Sequence, residues 1–87
     1  IICLSVNDAF VMAAWATAQN AENLMMLADG DGSYTKALGL EMETAAFGGL
    51  RSQRYSMIID NGVVTSLNVE KPKEFEISNA ETILSQL

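Results

Sequence analysis

The sequence has no histidine, one cysteine (Cys3), one proline (Pro72) and only five basic residues in a length of 87. A chain without histidine cannot form a Ser-His-Asp or Cys-His nucleophilic site. One cysteine and no histidine also exclude an intrachain disulfide and a structural zinc site. The five bases face eleven acids, for a net charge of −6. The composition therefore lacks the clustered Lys and Arg that a nucleic-acid surface requires.

Long apolar runs are absent as well. The apolar start, residues 1–6, is too short to cross a membrane and has no basic flank of the kind that signal peptides carry. We therefore expect neither a membrane partner nor a nucleic-acid partner. The single thiol fits a reducing compartment, so the predicted location is cytoplasmic, with an organelle left open.

The sequence does contain enough apolar residues, 49% of the total, for one small packed domain. Residues 1–6 are typical of a strand covered on both faces. Asn7 or Asp8 can cap the helix that follows, which is predicted to end near Asn20. The apolar positions on one face of this helix are Phe10, Val11, Ala14, Trp15 and Ala18. Because the chain opens inside such a β-α unit, we expect it to carry only part of the equipment of its fold.

The middle of the chain predicts a second β-α unit. An apolar run over residues 24–28 is closed by turn residues at 29–32. A short helix is predicted over residues 34–38, and Gly39 is placed to end it. Residues 41–50 show no regular pattern.

The last third predicts a hairpin and a helix. Strands over residues 54–60 and 63–69 flank Asn61-Gly62, a pair that suits a two-residue turn. Lys71-Pro72-Lys73 ends the second strand, and Ser78-Asn79-Ala80-Glu81 has the form of a capping box. The expected apolar face of the final helix consists of Ile83, Leu84 and Leu87. The order β-α-β-α-β-β-α predicts an α/β class with a mixed sheet, a C-terminal hairpin and a closing helix, which is most of a thioredoxin-like fold in a single compact unit.

Two glycine-rich segments resemble ligand-binding loops, but neither has the residues or the spacing that such loops need. In Asp29-Gly30-Asp31-Gly32-Ser33, a calcium loop would need glycine where Tyr34 stands and glutamate where Leu40 stands, so an ordinary turn is favoured. Glycines 30, 32 and 39 lack the spacing of a dinucleotide fingerprint, and Gly48-Gly49 is too short for a phosphate loop. We expect no cofactor and no bound metal.

Arg51 and Arg54 have two interpretations. Both stand where the first strand of the hairpin begins, apart from the three lysines. They could be edge charges that protect against aggregation. Alternatively, a guanidinium at a strand end supplies a permanent charge and several fixed donors for an anion or a thiolate. The residues alone leave these two alternatives open.

Two segments are specific in their wording: Ser5-Val6-Asn7-Asp8, with Phe10 and Trp15 after it, and Arg51-Ser52-Gln53-Arg54-Tyr55-Ser56-Met57-Ile58. Together with two further segments they resemble type II peroxiredoxins. Residues 27–40 are similar to the next strand and helix of that family. Residues 61–70 and 81–87 complete a resemblance that covers essentially the whole chain, in order.

The resemblance implies a thiol peroxidase with a thioredoxin-like fold. Arg54 matches the arginine that holds the peroxide and the attacking thiolate, and Arg51 matches a neighbouring arginine in a supporting role. The peroxidatic cysteine of the family lies in a Pro-x-x-x-Thr-x-x-Cys loop upstream of Ser5, and this chain has no such motif. Cys3 does not match it, and its apolar neighbours predict burial and a structural role. The position of a second, resolving cysteine corresponds to Ile77.

The partners implied by the resemblance are a peroxide and a thiol reductant: glutathione, glutaredoxin or thioredoxin. The family also implies a homodimer. We expect this C-terminal portion of one redoxin domain, residues 1–87, to be inactive by itself, because the nucleophile is missing. An alternative is a non-catalytic interaction or dimerisation module, with Phe47-Gly48-Gly49-Leu50 as its surface. A third, weaker alternative makes Cys3 a one-cysteine redox centre.

Overall fold

A computed structural model describes all 87 residues. Along the chain the elements are β1 (Ile2–Ser5), α1 (Ala9–Ala18), β2 (Met25–Ala28), α2 (Ser33–Ala37), β3 (Glu41–Glu43), β4 (Leu50–Ser52), β5 (Tyr55–Asp60), β6 (Val63–Val69) and α3 (Ala80–Ser85). The contacts cluster into two compact units, Ile1–Ser52 and Gln53–Leu87. The second unit contains the hairpin of β5 and β6 together with α3.

The first unit begins with a parallel β-α-β arrangement. Strands β1 and β2 pair in register, with Cys3 opposite Met26. Helix α1 connects them, packs on β2 and begins at Asp8, whose carboxylate accepts the Val11 N–H at 2.8 Å. The predicted helix is therefore confirmed, and Asp8 is the one of the two predicted caps, Asn7 and Asp8, that begins it.

The buried face of α1 differs from the predicted one. Met12 and Ala16 are the buried positions of the helix, whereas Phe10 is 87% exposed and Trp15 is 45% exposed. The most apolar stripe of the helix is thus directed away from the residues it packs on. Hydrophobic spacing indicates that a helix has an apolar face but not which neighbour covers it.

Residues 1–87 by themselves do not cover β1 on both faces, the arrangement that the sequence predicted. Ile1 is 94% exposed and Ile2 is 59% exposed, and only Val6, just after the strand, is fully buried. β1 pairs with β2 alone. One neighbouring strand and one helix do not supply enough surface to cover a strand on both faces.

The core of the first unit is small. Its buried apolar side chains are Val6, Met12, Ala16 and Leu40. Gly32 adjoins this core with φ +75°, and a Cβ there would lie 2.6 Å from Cδ2 of Leu50. The positive φ favours glycine at this position, and a larger residue would also require the Leu50 side chain to shift. The next helix, α2, ends before Gly39, which has φ +73° as its predicted stop position requires.

Two short strands occupy the stretch that showed no pattern. β3 and β4 pair antiparallel, with Met42 opposite Arg51. Each has three residues, which is too short for alternation of polar and apolar side chains to be recognised. Arg51 therefore lies in a separate strand, ahead of the hairpin.

The second unit is built on the predicted hairpin. β5 and β6 pair antiparallel, and the turn residues Asn61 and Gly62 have φ of 51° and 78°. Both positive values are those of a type I′ turn, as the Asn-Gly pair indicated. A register shift between Ile58 and Ile59 marks a β-bulge.

The predicted capping box at the last helix is wrong. The N-cap of α3 is Asn79, whose side chain accepts the Thr82 N–H at 2.8 Å. Ser78 does not cap the helix because its N–H and its hydroxyl both donate to Glu70.

Helix α3 packs on β5 and covers less than predicted. Ile83 is half-buried, whereas Leu84 and Leu87 are 60% and 82% exposed. The side chains of Gln86 and Asn68 hydrogen-bond each other and link the end of α3 to β6. None of the three helices has the length and hydrophobicity needed to cross a membrane.

Candidate functional site

Arg54 stands directly before β5 with an exposed side chain. Its guanidinium carbon lies 4.7 Å from the centroid of the Phe75 ring, a cation–π contact. Its carbonyl oxygen accepts the Glu70 N–H at 2.9 Å, which continues the pairing of β5 with β6 by one step. The attraction is between the charge of the guanidinium and the ring, so it leaves N–H donors of Arg54 available for an oxygen acceptor.

Glu70 is the buried residue of the second unit, with 5% of its surface exposed. A single oxygen, Oε2, accepts hydrogen bonds from the N–H groups of Glu76, Ile77 and Ser78, at 2.8, 2.9 and 2.8 Å. The Ser78 hydroxyl donates to the same oxygen at 2.7 Å. The sequence did not predict this network. The one available signal was Glu70 itself, an acidic residue that directly follows a strand and precedes a polar loop.

The Glu70 network favours the ionised carboxylate. Burial raises the pKa of Glu70, and the hydrogen bonds from Ser78, Glu76 and Ile77 outweigh this effect, so the pKa lies below its ordinary value. Glu70 is therefore charged at neutral pH, and the loop after β6 is organised around that charge.

Arg51 is held differently. Its side chain is half-buried, and Nη1 donates to the carbonyl oxygen of Val6 at 3.1 Å. This bond joins β4 to the residue that follows β1 within the first unit. At least one donor of Arg51 is thus engaged by the backbone, which is a structural use of the guanidinium.

Cys3 is a half-buried free thiol in β1. Burial raises the pKa of Cys3 above its ordinary value, and this is the only resolved influence on it. A nucleophilic cysteine needs the opposite shift, because the thiolate is the reactive form. The geometry therefore agrees with the structural interpretation of Cys3.

The Asp29 segment is a turn, as predicted. The Gly32 N–H donates to the Asp29 carbonyl oxygen at 3.0 Å. The buried Asp29 carboxylate accepts the Tyr34 N–H at 3.1 Å, and the N–H and the hydroxyl of Thr35 at 2.8 and 2.6 Å. The Thr35 hydroxyl bond lowers the pKa of Asp29, partly opposed by burial. Its oxygens organise the start of α2, and no group of three or more metal-ligating side chains occurs in the chain.

Phe47 lies at the tip of the loop between β3 and β4 and is 93% exposed. The loop is tied together internally. Both the N–H and the hydroxyl of Thr44 donate to the Gly49 carbonyl oxygen, at 2.8 and 2.7 Å, and the Gly49 N–H donates to Ala45. A closed, hydrogen-bonded loop thus presents one large aromatic side chain to solvent.

Of the predicted site residues, only Arg54 combines exposure with a fixed support. Arg51 belongs to the first unit and is bound to its backbone, while Arg54 belongs to the second and rests on Phe75. Ile77, the position matched to a resolving cysteine, donates its N–H to Glu70. An exposed guanidinium with a supported face can bind a small anionic or peroxidic oxygen species.

The order of elements and the whole-chain structural matches define a mixed α/β, thioredoxin-like protein. The redoxin family model matches residues 1–84, so the chain belongs to the redoxin family. It is 49% identical over its whole length to peroxiredoxin-2D of Arabidopsis thaliana, of which it covers 55%. It is 41% identical to the hybrid peroxiredoxin hyPrx5 of Haemophilus influenzae, of which it covers 38%.

Solved structures give the same result. Reduced Prx3 from Vibrio vulnificus, determined in complex with H2O2, is 77% identical with a TM-score of 0.96, over 100% of this chain and 57% of that one. The predicted recognition as a peroxiredoxin and the predicted fold class are confirmed. The chain spans about half the length of the curated relatives it matches. Some of those relatives are chloroplastic, for example peroxiredoxin-2E of Arabidopsis thaliana, so a cytoplasmic location stays a prediction.

Proposed function

We propose that these residues form the C-terminal part of a thiol-dependent peroxidase domain that reduces hydrogen peroxide or alkyl hydroperoxides. Arg54 is its peroxide-binding residue, and the peroxidatic thiolate comes from outside residues 1–87. The observation that carries the proposal is the exposed Arg54 guanidinium, in contact with the Phe75 ring, in a chain similar throughout to peroxiredoxins.

In the first step the thiolate sulfur attacks one peroxide oxygen. An S–O bond forms, the O–O bond breaks, and the leaving oxygen takes up a proton to become water or an alcohol. Negative charge moves from sulfur to that oxygen, and the Arg54 guanidinium stabilises it throughout. The same positive charge favours the thiolate over the thiol before the reaction.

The sulfenic acid is then reduced by a thiol of the glutathione, glutaredoxin or thioredoxin type. The first thiol displaces water and forms a disulfide with the enzyme sulfur, and a second thiol releases the enzyme thiolate. Two electrons from two thiols thus balance the two-electron reduction of the peroxide. Because Ile77 stands at the position of a resolving cysteine, the reducing thiols come from a separate molecule.

Two findings in the first unit support a nucleophile outside this chain. Cys3 has a pKa raised by burial, and the chain has no second thiol.

Large apolar side chains of α1 and β1, among them Phe10 and Ile2, are exposed. We propose that the remaining part of the redoxin domain covers these side chains.

The experiment that tests this proposal is a peroxide-consumption assay with a thiol reductant. The 87-residue chain should consume peroxide no faster than its Cys3→Ala variant, whereas the complete protein that carries this sequence should turn over. Turnover by the chain that is lost in Cys3→Ala would overturn the proposal and make Cys3 the reactive thiol.

The exposed Phe47 favours a second function, a homodimer contact through the loop at residues 44–49. Phe47→Ser should then shift sedimentation from dimer towards monomer. Val63→Ser, which changes an equally apolar and 63% exposed side chain on the hairpin, should not. Equal sedimentation of both variants and the wild type would exclude the loop as the contact.

A further inference from the structure

Glu70 holds Arg54 from two directions. Its N–H donates to the Arg54 carbonyl oxygen at 2.9 Å, which fixes the backbone of the arginine. Its carboxylate accepts the consecutive N–H groups of Glu76, Ile77 and Ser78. Phe75, whose ring lies against the Arg54 guanidinium, immediately precedes that bonded run. The backbone of Glu70 therefore fixes the start of β5, and its buried side chain fixes the segment that follows the Phe75 ring.

The buried Glu70 carboxylate fixes the path of the loop that follows β6. A buried charge is unfavourable unless donors satisfy it. Here the donors are three backbone N–H groups and one hydroxyl, all converging on Oε2. Such convergence fixes the path of residues 76–78, which makes no regular secondary structure of its own. The carboxylate thus satisfies the backbone N–H groups of this loop and holds its backbone in place, as pairing with a neighbouring strand would in a sheet.

Arg54 needs such support. An exposed arginine side chain samples many rotamers, and a reaction step requires its charge to be held in one place. Stacking on an aromatic ring restricts the guanidinium and leaves its edge donors free. The ring can do this only if Phe75 itself is held in place, because its side chain is 59% exposed.

We propose that Glu70 is a positioning residue for Arg54, acting by holding residues 75–78 so that the Phe75 ring supports the guanidinium in its peroxide-binding orientation. The positioning itself is a property of the second unit, and its catalytic meaning rests on the proposed function. Glu70 does not contact the reacting atoms.

The first test is spectroscopic. In the complete protein, NMR should show the Arg54 Nε–H and Cδ protons shifted upfield by the Phe75 ring current, and Phe75→Leu should remove that shift. Glu70→Gln should remove most of it. Glu76→Gln, the same charge change in a side chain outside the network, should leave it intact. A full upfield shift in Glu70→Gln would overturn the proposal.

Should Glu70→Gln fail to fold by circular dichroism, Ser78→Ala replaces it in this test. That variant removes one of the converging donors and leaves the three N–H groups. It should lose part of the upfield shift, and a shift equal to wild type would overturn the proposal.

The second test is kinetic. Glu70→Gln and Phe75→Leu should each lower kcat/KM for hydrogen peroxide by about tenfold, since a misplaced reacting group costs up to about 100-fold. The double variant should be no slower than the slower single one, because the two residues act in series. Additive losses would overturn the proposal.

Arg54→Ala separates the two proposals. If Arg54→Ala leaves activity unchanged, the proposed function of Arg54 fails, while the NMR result still decides the positioning. If Arg54→Ala loses activity but Glu70→Gln and Phe75→Leu behave like Glu76→Gln, only the positioning by Glu70 fails.

Discussion

Arg51 and Arg54 are close in the chain and are held in opposite ways. Arg51 is half-buried in β4, and its guanidinium donates to a backbone carbonyl far away in sequence, that of Val6. Arg54 is exposed before β5, and an aromatic ring contacts its guanidinium. A carbonyl consumes a donor, whereas a ring supports the charge and leaves the donors at the edge. These contacts support our proposal that Arg54 binds the peroxide, and they indicate that Arg51 contributes mainly to stability.

Replacing Arg54 should produce the largest effect. Arg54→Ala in the complete protein should lower kcat/KM for hydrogen peroxide by roughly 100- to 1,000-fold, as expected when a preorganised charge donor is removed. The kcat/KM of Arg54→Lys should lie between those of the wild type and Arg54→Ala, because lysine keeps the charge but lacks the planar guanidinium with its paired donors. Stopped-flow peroxide reduction measures both. A loss of less than about tenfold in Arg54→Ala would contradict the assignment.

Replacing Arg51 should affect stability more than rate. Arg51→Ala removes a hydrogen bond from a charged donor to the Val6 carbonyl, which is worth about 1–3 kcal/mol. Urea unfolding should show that loss of stability, with kcat/KM reduced less than about tenfold. If Arg51→Ala lowers the rate as much as Arg54→Ala does, the two arginines act together and the contrast between them is wrong.

The smallest effect is a difference in acid sensitivity. The anchor of Arg51 is a carbonyl and does not titrate, whereas the support of Arg54 depends on the Glu70 carboxylate. Because the pKa of Glu70 is lowered in the folded protein, its contribution is complete above its unfolded pKa of about 4.3. That contribution is lost as the pH falls through the folded value. The urea-midpoint difference between wild type and Glu70→Gln should therefore be large at neutral pH and should shrink as the pH falls through the lowered pKa of the folded protein. A constant difference would show that the charge of Glu70 is not what matters.

The parts of the fold that depend on local rules were predictable from the sequence. Asn61-Gly62 requires positive φ twice, and Asp8 needs only the N–H three residues ahead. The buried face of α1 was not predictable, because Phe10 and Trp15 form the more apolar stripe while Met12 and Ala16 are the buried residues. Burial depends on what covers a face, which periodicity alone does not contain.

Arg54 as the peroxide-binding residue stays a prediction, and the residues that support it were not indicated by the sequence. The resemblance of the segment around Arg54 indicated the arginine. It did not indicate Glu70, whose partners lie six to eight residues further on in a loop of irregular path. The same loop explains the wrong capping box, since Ser78 has the residue type of a cap but its hydroxyl donates to Glu70. A serine such as Ser78 can either cap a helix or hydrogen-bond to a side chain that organises a loop. The path of the loop determines which of these hydrogen bonds forms.

The most direct measurement is a crystal structure of the complete protein, reduced and soaked with hydrogen peroxide. The account predicts a peroxide oxygen within about 3 Å of an Arg54 guanidinium nitrogen, at hydrogen-bond distance, with the Phe75 ring still against the guanidinium. A peroxide bound without Arg54, or bound by Arg51 in its place, would contradict it.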